Sequence, residues 1–145
     1  MENVIPTVGV LIINQDKVLL VKHTPGADHL TDTFGIPAGR LEGNEIEIEG
    51  AIRELKEETG LVTNKKSLVP LPAIYQAAIK RKDGTKNFSL KVFVCNKYDG
   101  EIKKSKESVP EWVLLTEVRK LNLLPSVRKI IRDGLKSIKG SNKVH

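Results

Sequence analysis

Apolar and polar residues alternate along this chain in two rhythms, one of period two and one near 3.6, and the switch between them marks out the elements. Val4–Ile13 is a β-branched apolar run that predicts a strand, with Pro6 near its start, where a missing N–H is tolerated. Asn14-Gln15-Asp16 predicts a turn and Lys17–Val21 the returning strand. His23–Thr33 is polar and predicts a loop, Phe34–Ile36 a short strand, and Pro37–Gly43 a glycine-containing loop. The period then changes. Ile48, Ala51, Ile52, Leu55 and Thr59 recur at helical spacing and predict a helix over Glu45–Thr59 with one buried stripe. Asn44 is placed to cap it, with Glu47 three residues on as in a capping box, and Gly60 to end it in the left-handed conformation. Gly50 costs a helix interior about 1 kcal/mol relative to alanine, so close packing against a neighbouring backbone is expected there.

Beyond the helix, Pro72–Arg81 and Lys86–Asn96 predict a hairpin around Asp83-Gly84. A loop rich in Lys and Ser spans Asp99–Pro110, Glu111–Leu115 predicts a strand, and Thr116 caps a short helical turn. Pro125–Ile138 predicts an amphipathic helix with Val127, Ile130, Ile131, Leu135 and Ile138 on one side, and the tail from about Lys139 is expected to fray. Strands before, between and after helices predict an α/β fold, a mixed sheet covered by helices on its faces. No repeat or linker divides residues 1–145, and the length suits a single domain.

Composition narrows the function. The lone Cys95 excludes a disulfide framework and a multi-cysteine zinc site. With no basic leader segment, it suggests a cytoplasmic location. No apolar run nears the roughly 20 residues of a membrane span. The net charge of +6 is unevenly spread: residues 1–60 carry 11 acids and 5 bases, residues 61–145 carry 7 acids and 19 bases. Seven of the 18 acids lie between Glu42 and Glu58. That suggests a local cation site in a protein that otherwise attracts anions; the alternative is that the lysines only keep the surface soluble.

Within Arg53-Glu54-Leu55-Lys56-Glu57-Glu58, the three glutamates share one helix face. Their mutual repulsion costs a few tenths of a kcal/mol per pair, and the helix dipole disfavours negative charge in the last turns. A hard divalent cation with oxygen ligands would offset both costs. Glu57 and Glu58 are the first candidates as ligands, with Glu54 a third ligand or a water-activating base. Arg53 can hold a neighbouring carboxylate in one rotamer. The competing reading is a solvated helix face laced with salt bridges.

The wider stretch runs Gly39, five residues, Glu45, seven residues, then Arg53-Glu54-Leu55-Lys56-Glu57-Glu58-Thr59-Gly60-Leu61. It resembles the Nudix box, G-x5-E-x7-R-E-U-x-E-E-x-G-U with U a bulky aliphatic residue, and every specified position is filled. Phe34-Gly35-Ile36-Pro37-Ala38-Gly39-Arg40 resembles the family's entry segment, which more often opens with Trp, and Glu111-Trp112-Val113 a recurrent late strand. The likeness covers about 110 residues, Val4 to Leu115.

The resemblance implies an α/β/α sandwich and a pyrophosphohydrolase dependent on Mg²⁺, with Mn²⁺ as a substitute. The substrate would be a nucleoside diphosphate linked to X, cut to a nucleoside monophosphate and phosphorylated X. Glu57 and Glu58 would bind metal, Glu54 would be ligand or base, and the Gly39 carbonyl would add a ligand. Glu45 would pair with Arg53 and, with Gly60, support the loop–helix–loop. A later glutamate, best matched by Glu107 with Glu111 and Glu101 behind it, would join the metals or act as base. Arg40 and Arg81 are candidates for phosphate or base contacts, as are Lys80, Lys82 and Lys91. Phe34, Tyr75 and Phe88 could stack on a base or simply fill the core. His23 and His29 lie in a loop near this site, where such residues are commonly solvated. Dimers are common among relatives, so a homodimer is open. Competing functions are a nucleotide-binding module of the same fold that does not cut, and an RNA-end pyrophosphohydrolase. A nucleic-acid partner is disfavoured, because no RNA-binding motif accompanies the basic half.

Overall fold

Eight strands and two helices follow one another in a computed structural model that describes residues 3–23, 32–81 and 83–142, with backbone only at residues 81 and 140–142. Strand β1 (Val4–Leu11) breaks at Ile12 and resumes as β2 (Ile13–Asn14), which turns through Gln15, at φ 57°, into β3 (Lys17–His23). Then come β4 (Phe34–Gly35), β5 (Ala38–Arg40), helix α1 (Glu47–Thr59), β6 (Leu68–Arg81), β7 (Gly84–Cys95), β8 (Ser108–Leu114) and helix α2 (Val127–Asn142). Residues 24–31, most of the expected His23–Thr33 loop with His29, lie outside the described residues.

One sheet has the order β5-β1-β7-β6 and is mixed: β1 runs parallel to β7 and antiparallel to β5, and β6 is antiparallel to β7. The other is antiparallel, with β3 pairing β2 and β4 on one edge and β8 on the other. The period-two pattern of β1 explains how the sheet holds two cores. Val8, Val10 and Ile12 pack with Ala51 and Leu55 of α1, whereas Leu11 packs with Val127, Ile130 and Ile131 of α2. The result is the α/β sandwich with helices on both faces that the element order predicts.

Several boundaries move. The expected Pro37–Gly43 loop contains β5, an edge strand that pairs Thr7, Val8 and Gly9 with Arg40, Gly39 and Ala38. Helix α1 starts at Glu47, and its cap is Ile46, without a side-chain hydrogen bond, rather than Asn44. Glu45 is drawn away from the helix start: its carboxylate accepts from the Glu42 N–H at 3.1 Å and from Arg53. Gly60 ends the helix at φ 85°, its N–H donating to the Lys56 carbonyl. Gly50 does pack closely, though against side chains of Glu45, Leu41 and Val8 rather than a backbone. The hairpin strand β6 begins four residues early, at Leu68, and absorbs a register shift between Pro70 and Ile74. Strand β8 begins at Ser108, where Ser105 and Ser108 close a tight turn. Helix α2 runs to Asn142, and residues 143–145 of the tail lie outside the described residues.

Candidate active site

Helix α1 presents Arg53 as the hub of the acidic segment. Its Nε and Nη2 donate to the two oxygens of Glu45 at 2.7 and 2.9 Å, a fork-on-fork pairing across eight residues. Nη1 donates to Glu54 at 2.8 Å and to Glu57 at 3.1 Å, and Nη2 reaches the Arg40 carbonyl at 3.0 Å. One guanidinium thus ties the loop before the helix, the helix itself and β5 together. The hydrogen bond from Arg53 lowers Glu45 from the ordinary carboxylate range to about 2. The same bond raises the Arg53 pKa further still.

Two of the glutamates turn inward onto β5. Glu54 packs its carboxylate against Gly39, so that a Cβ at position 39 would overlap it. Burial raises the Glu54 pKa, opposed by the hydrogen bond from Arg53. Glu58 Oε1 accepts from the Ala38 N–H at 2.6 Å. Burial of its carboxyl end raises Glu58 to about 8 despite that bond, with the charges of Glu54, Glu57 and Glu107 adding to the shift. Among the described residues no Lys or Arg nitrogen comes within ion-pair distance of Glu58. Glu57 is the outward member, its side chain 55% exposed. The exposed Glu107, just before β8, is near enough for its charge to act on Glu58. Among the described residues no three acidic, His or Cys side chains converge into a ready metal cage. Arg53 accounts for that, because it draws Glu54 and Glu57 toward itself.

On the opposite side of β5 lies a cavity of about 230 Å³, walled by Ala38, Gly39 and Arg40 and closed by Val127 and Ile130 of α2. Arg40 sets its guanidinium 5.8 Å from the centre of the Phe88 ring, and both residues line the space. His23, which the pattern places in a loop, is instead the last residue of β3, buried, and part of the cavity wall. Phe34 and Tyr75 are not brought to the cavity. Both are buried in the core beneath α2, and the Tyr75 hydroxyl donates to Asp133 at 2.6 Å. The side chain of Arg81, with all of Lys82, lies outside the described residues. The sequence pattern missed the cavity because its lining comes from many separate segments, including Thr7, Ala77, Leu90 and Leu124.

A model of the NUDIX domain matches residues 4–134. The chain belongs to the Nudix family. This Nudix chain is 30% identical over 137 residues to the ADP-ribose pyrophosphatase of Methanocaldococcus jannaschii, an alignment that covers 90% of the chain and 74% of that relative. It is 32% identical over 77 residues to Nudix hydrolase 8 of Arabidopsis thaliana, covering 52% of the chain but about a fifth of that longer protein (21%). Its fold superposes on the MutT Nudix hydrolase of Burkholderia pseudomallei with a TM-score of 0.75 at 18% identity, covering 91% and 98% of the two chains. A bifunctional NMN adenylyltransferase/ADP ribose pyrophosphatase of Francisella tularensis, complexed with AMP and a Mn ion, matches with a TM-score of 0.71 at 21% identity. That match covers 94% of this chain and 42% of the Francisella protein. The chain is thus a member of the Nudix pyrophosphohydrolases, a family that typically uses a divalent metal. No helix among the described residues is long and apolar enough to cross a membrane.

Proposed function

We propose that this Nudix chain hydrolyses the pyrophosphate of a nucleoside diphosphate linked to X, with ADP-ribose-like compounds the first class to test. The observation that carries the reading is the shared wall β5. Its Ala38 N–H holds Glu58, its Gly39 backs Glu54, and both residues, with Arg40, wall the apolar cavity. A nucleotide with its base in that cavity would bring its phosphates over β5 to the acidic face of α1. Apolar walls with few polar groups suit a base better than a sugar phosphate. The 30% identity to an ADP-ribose pyrophosphatase favours the same substrate class.

The donor set fits a hard divalent ion: carboxylates and a backbone carbonyl, with the carboxyl end of Glu58 buried and no basic partner for it among the described residues. Glu54, Glu57, Glu58 and the Gly39 carbonyl would hold Mg²⁺, or Mn²⁺ in its place. When bound, the cation neutralises the pyrophosphate and eases ionisation of a water. Arg53 and Glu45 keep the loop and β5 at a fixed distance from the glutamates. Glu54 or Glu107 takes the proton as water attacks one phosphorus. The P–O–P bond breaks, and the bridging oxygen leaves with the other phosphate. The test is a panel of nucleoside diphosphate derivatives with Mg²⁺, read as release of nucleoside monophosphate and phosphorylated X. Tight binding of the panel without any turnover would leave a non-hydrolytic binding module instead.

A further inference from the structure

Successive residues of a strand face opposite sides of the sheet. A Cβ on Gly39 would meet the Glu54 carboxylate, so Ala38 and Arg40 face the other way, onto the cavity that both of them line. Arg40 stands opposite Thr7 in the register of β5 on β1, and its side chain crosses β1 to reach Phe88 on β7. Both ends of the residue are held. Its carbonyl accepts from Arg53 Nη2 at 3.0 Å, and its guanidinium carbon lies 5.8 Å from the centre of the buried Phe88 ring. Arg40 itself is exposed. The two arginines differ in their acidic neighbours: Arg53 pairs with four carboxylates, those of Glu42, Glu45, Glu54 and Glu57. Among the described residues no carboxylate comes within ion-pair distance of Arg40, and no hydrogen bond uses its guanidinium. A cation–π contact engages a guanidinium through its face and leaves its N–H donors for an acceptor.

The geometry points to Arg40 and Phe88 acting as one unit, in which the ring is a platform that aims the guanidinium at the phosphate on the nucleoside side of the substrate. This rests on the reading of the cavity as the base site. With a base in the cavity and the pyrophosphate at α1, the phosphate next to the ribose is the first anion to pass β5, and it passes at Arg40. The planar fork of an arginine fits two phosphate oxygens at once. The glutamate face attracts phosphate only through a cation, whereas Arg40 attracts it directly. Phe88 is then a positioning residue rather than a stacking surface for the base, and Arg40 is the group that touches substrate.

The experiment measures binding of AMP and of adenosine to the metal-free full-length protein by calorimetry, for the wild type, Arg40→Gln, Arg40→Lys, Phe88→Leu and the Arg40→Gln/Phe88→Leu double variant. Arg40→Gln is expected to weaken AMP roughly tenfold and adenosine hardly at all. Arg40→Lys, which keeps the charge and loses the fork, is expected to fall between. Phe88→Leu is expected to weaken AMP roughly threefold more than adenosine. That excess should vanish in the Arg40→Gln background, which a ring that only fills space would not show. With Mg²⁺ and ADP-ribose, the Arg40→Gln loss is expected in KM more than in kcat. A wild type that binds AMP no tighter than adenosine, or an Arg40→Gln loss equal for the two ligands, overturns the phosphate contact. An excess that persists in the double variant overturns the platform. Should Phe88→Leu fold poorly, the Arg40 side-chain protons of the wild type are followed by NMR. They are expected to be shifted by the ring and to move with AMP but not with adenosine, and protons at their free-peptide positions overturn the platform. If AMP binding depends on Arg40 while no substrate is cleaved, the hydrolase reading fails and the phosphate contact stands.

Discussion

Arg53 grips Glu45 by two near-parallel hydrogen bonds of 2.7 and 2.9 Å, across the turn between β5 and α1. That fork lowers Glu45 to about 2, well below a free carboxylate. The stabilisation is therefore present above the unfolded pKa near 4.5 and is lost as pH falls through 2. Glu45→Gln is expected to flatten the acid limb of the stability curve between those values. Thermal unfolding of wild type and variant across that window measures it. Parallel curves would show that the fork contributes nothing to the fold.

Glu58 has the opposite sign. Burial raises it to about 8, so the metal-free folded state holds a proton that the unfolded chain releases near 4.5. Its contribution is complete below that pH and disappears as pH rises through 8. In EDTA the wild type is expected to lose stability between pH 5 and 8, and Glu58→Gln to lose less. Mg²⁺ should stabilise the wild type more at pH 8 than at pH 6, because the ionised carboxylate binds it. Activity should fall roughly a hundredfold or more in Glu58→Gln, the scale of a lost metal contribution. Equal Mg²⁺ stabilisation of the two proteins would remove Glu58 from the ligand set.

Glu107 and Glu54 compete for the role of base. Glu107 is exposed and acts on Glu58 through its charge, whereas Glu54 is packed on Gly39 and bonded to Arg53. The freer carboxylate is better placed to accept and release a proton. Glu107→Gln is expected to lower kcat by roughly 10²-fold or more, with KM and melting temperature little changed. A rate near that of the wild type would pass the role to Glu54.

What the sequence revealed follows from how local each feature is. The α1 stripe and its Gly60 stop depend on neighbouring residues, and both appear where the 3.6 period places them. The helix start does not, because Glu45 serves Arg53 eight residues on, and the true cap Ile46 has no capping group. Strand β5 was hidden for a related reason: Ala38-Gly39-Arg40 has little strand character of its own and is held by pairing to β1. The acidic triad can be read from i, i+3, i+4 spacing, yet its contacts with Ala38 and Gly39 cannot. Phe34 and Tyr75 look like Phe88 in a linear sequence, and tertiary packing alone separates core rings from the cavity ring.

Gly39 tests whether Glu54 must lie against β5. A Cβ there would overlap the Glu54 carboxylate, the free end of a flexible side chain. The fold can yield cheaply by swinging that carboxylate away, while the site cannot. Gly39→Ala is thus expected to keep most of its thermal stability and lose most of its activity. Unfolding curves and turnover on the same sample check both halves. Full activity would show that the position of Glu54 is not used.

Tyr75 separates packing from recognition. The residue is 3% exposed, and its hydroxyl donates at 2.6 Å to Asp133 on α2, fastening the helix to β6. Tyr75→Phe keeps the ring and removes that bond, so a loss of about 1 kcal/mol is expected, a few degrees in melting temperature for a chain this size. Burial, with the Asp133 bond second, raises the Tyr75 pKa above its ordinary value of 10. The wild type therefore loses this stabilisation as pH climbs past 10, a loss that Tyr75→Phe does not share. Substrate affinity should be unchanged, since the ring is in the core and not in the cavity. A rise in KM without loss of stability would instead put Tyr75 in contact with the nucleotide.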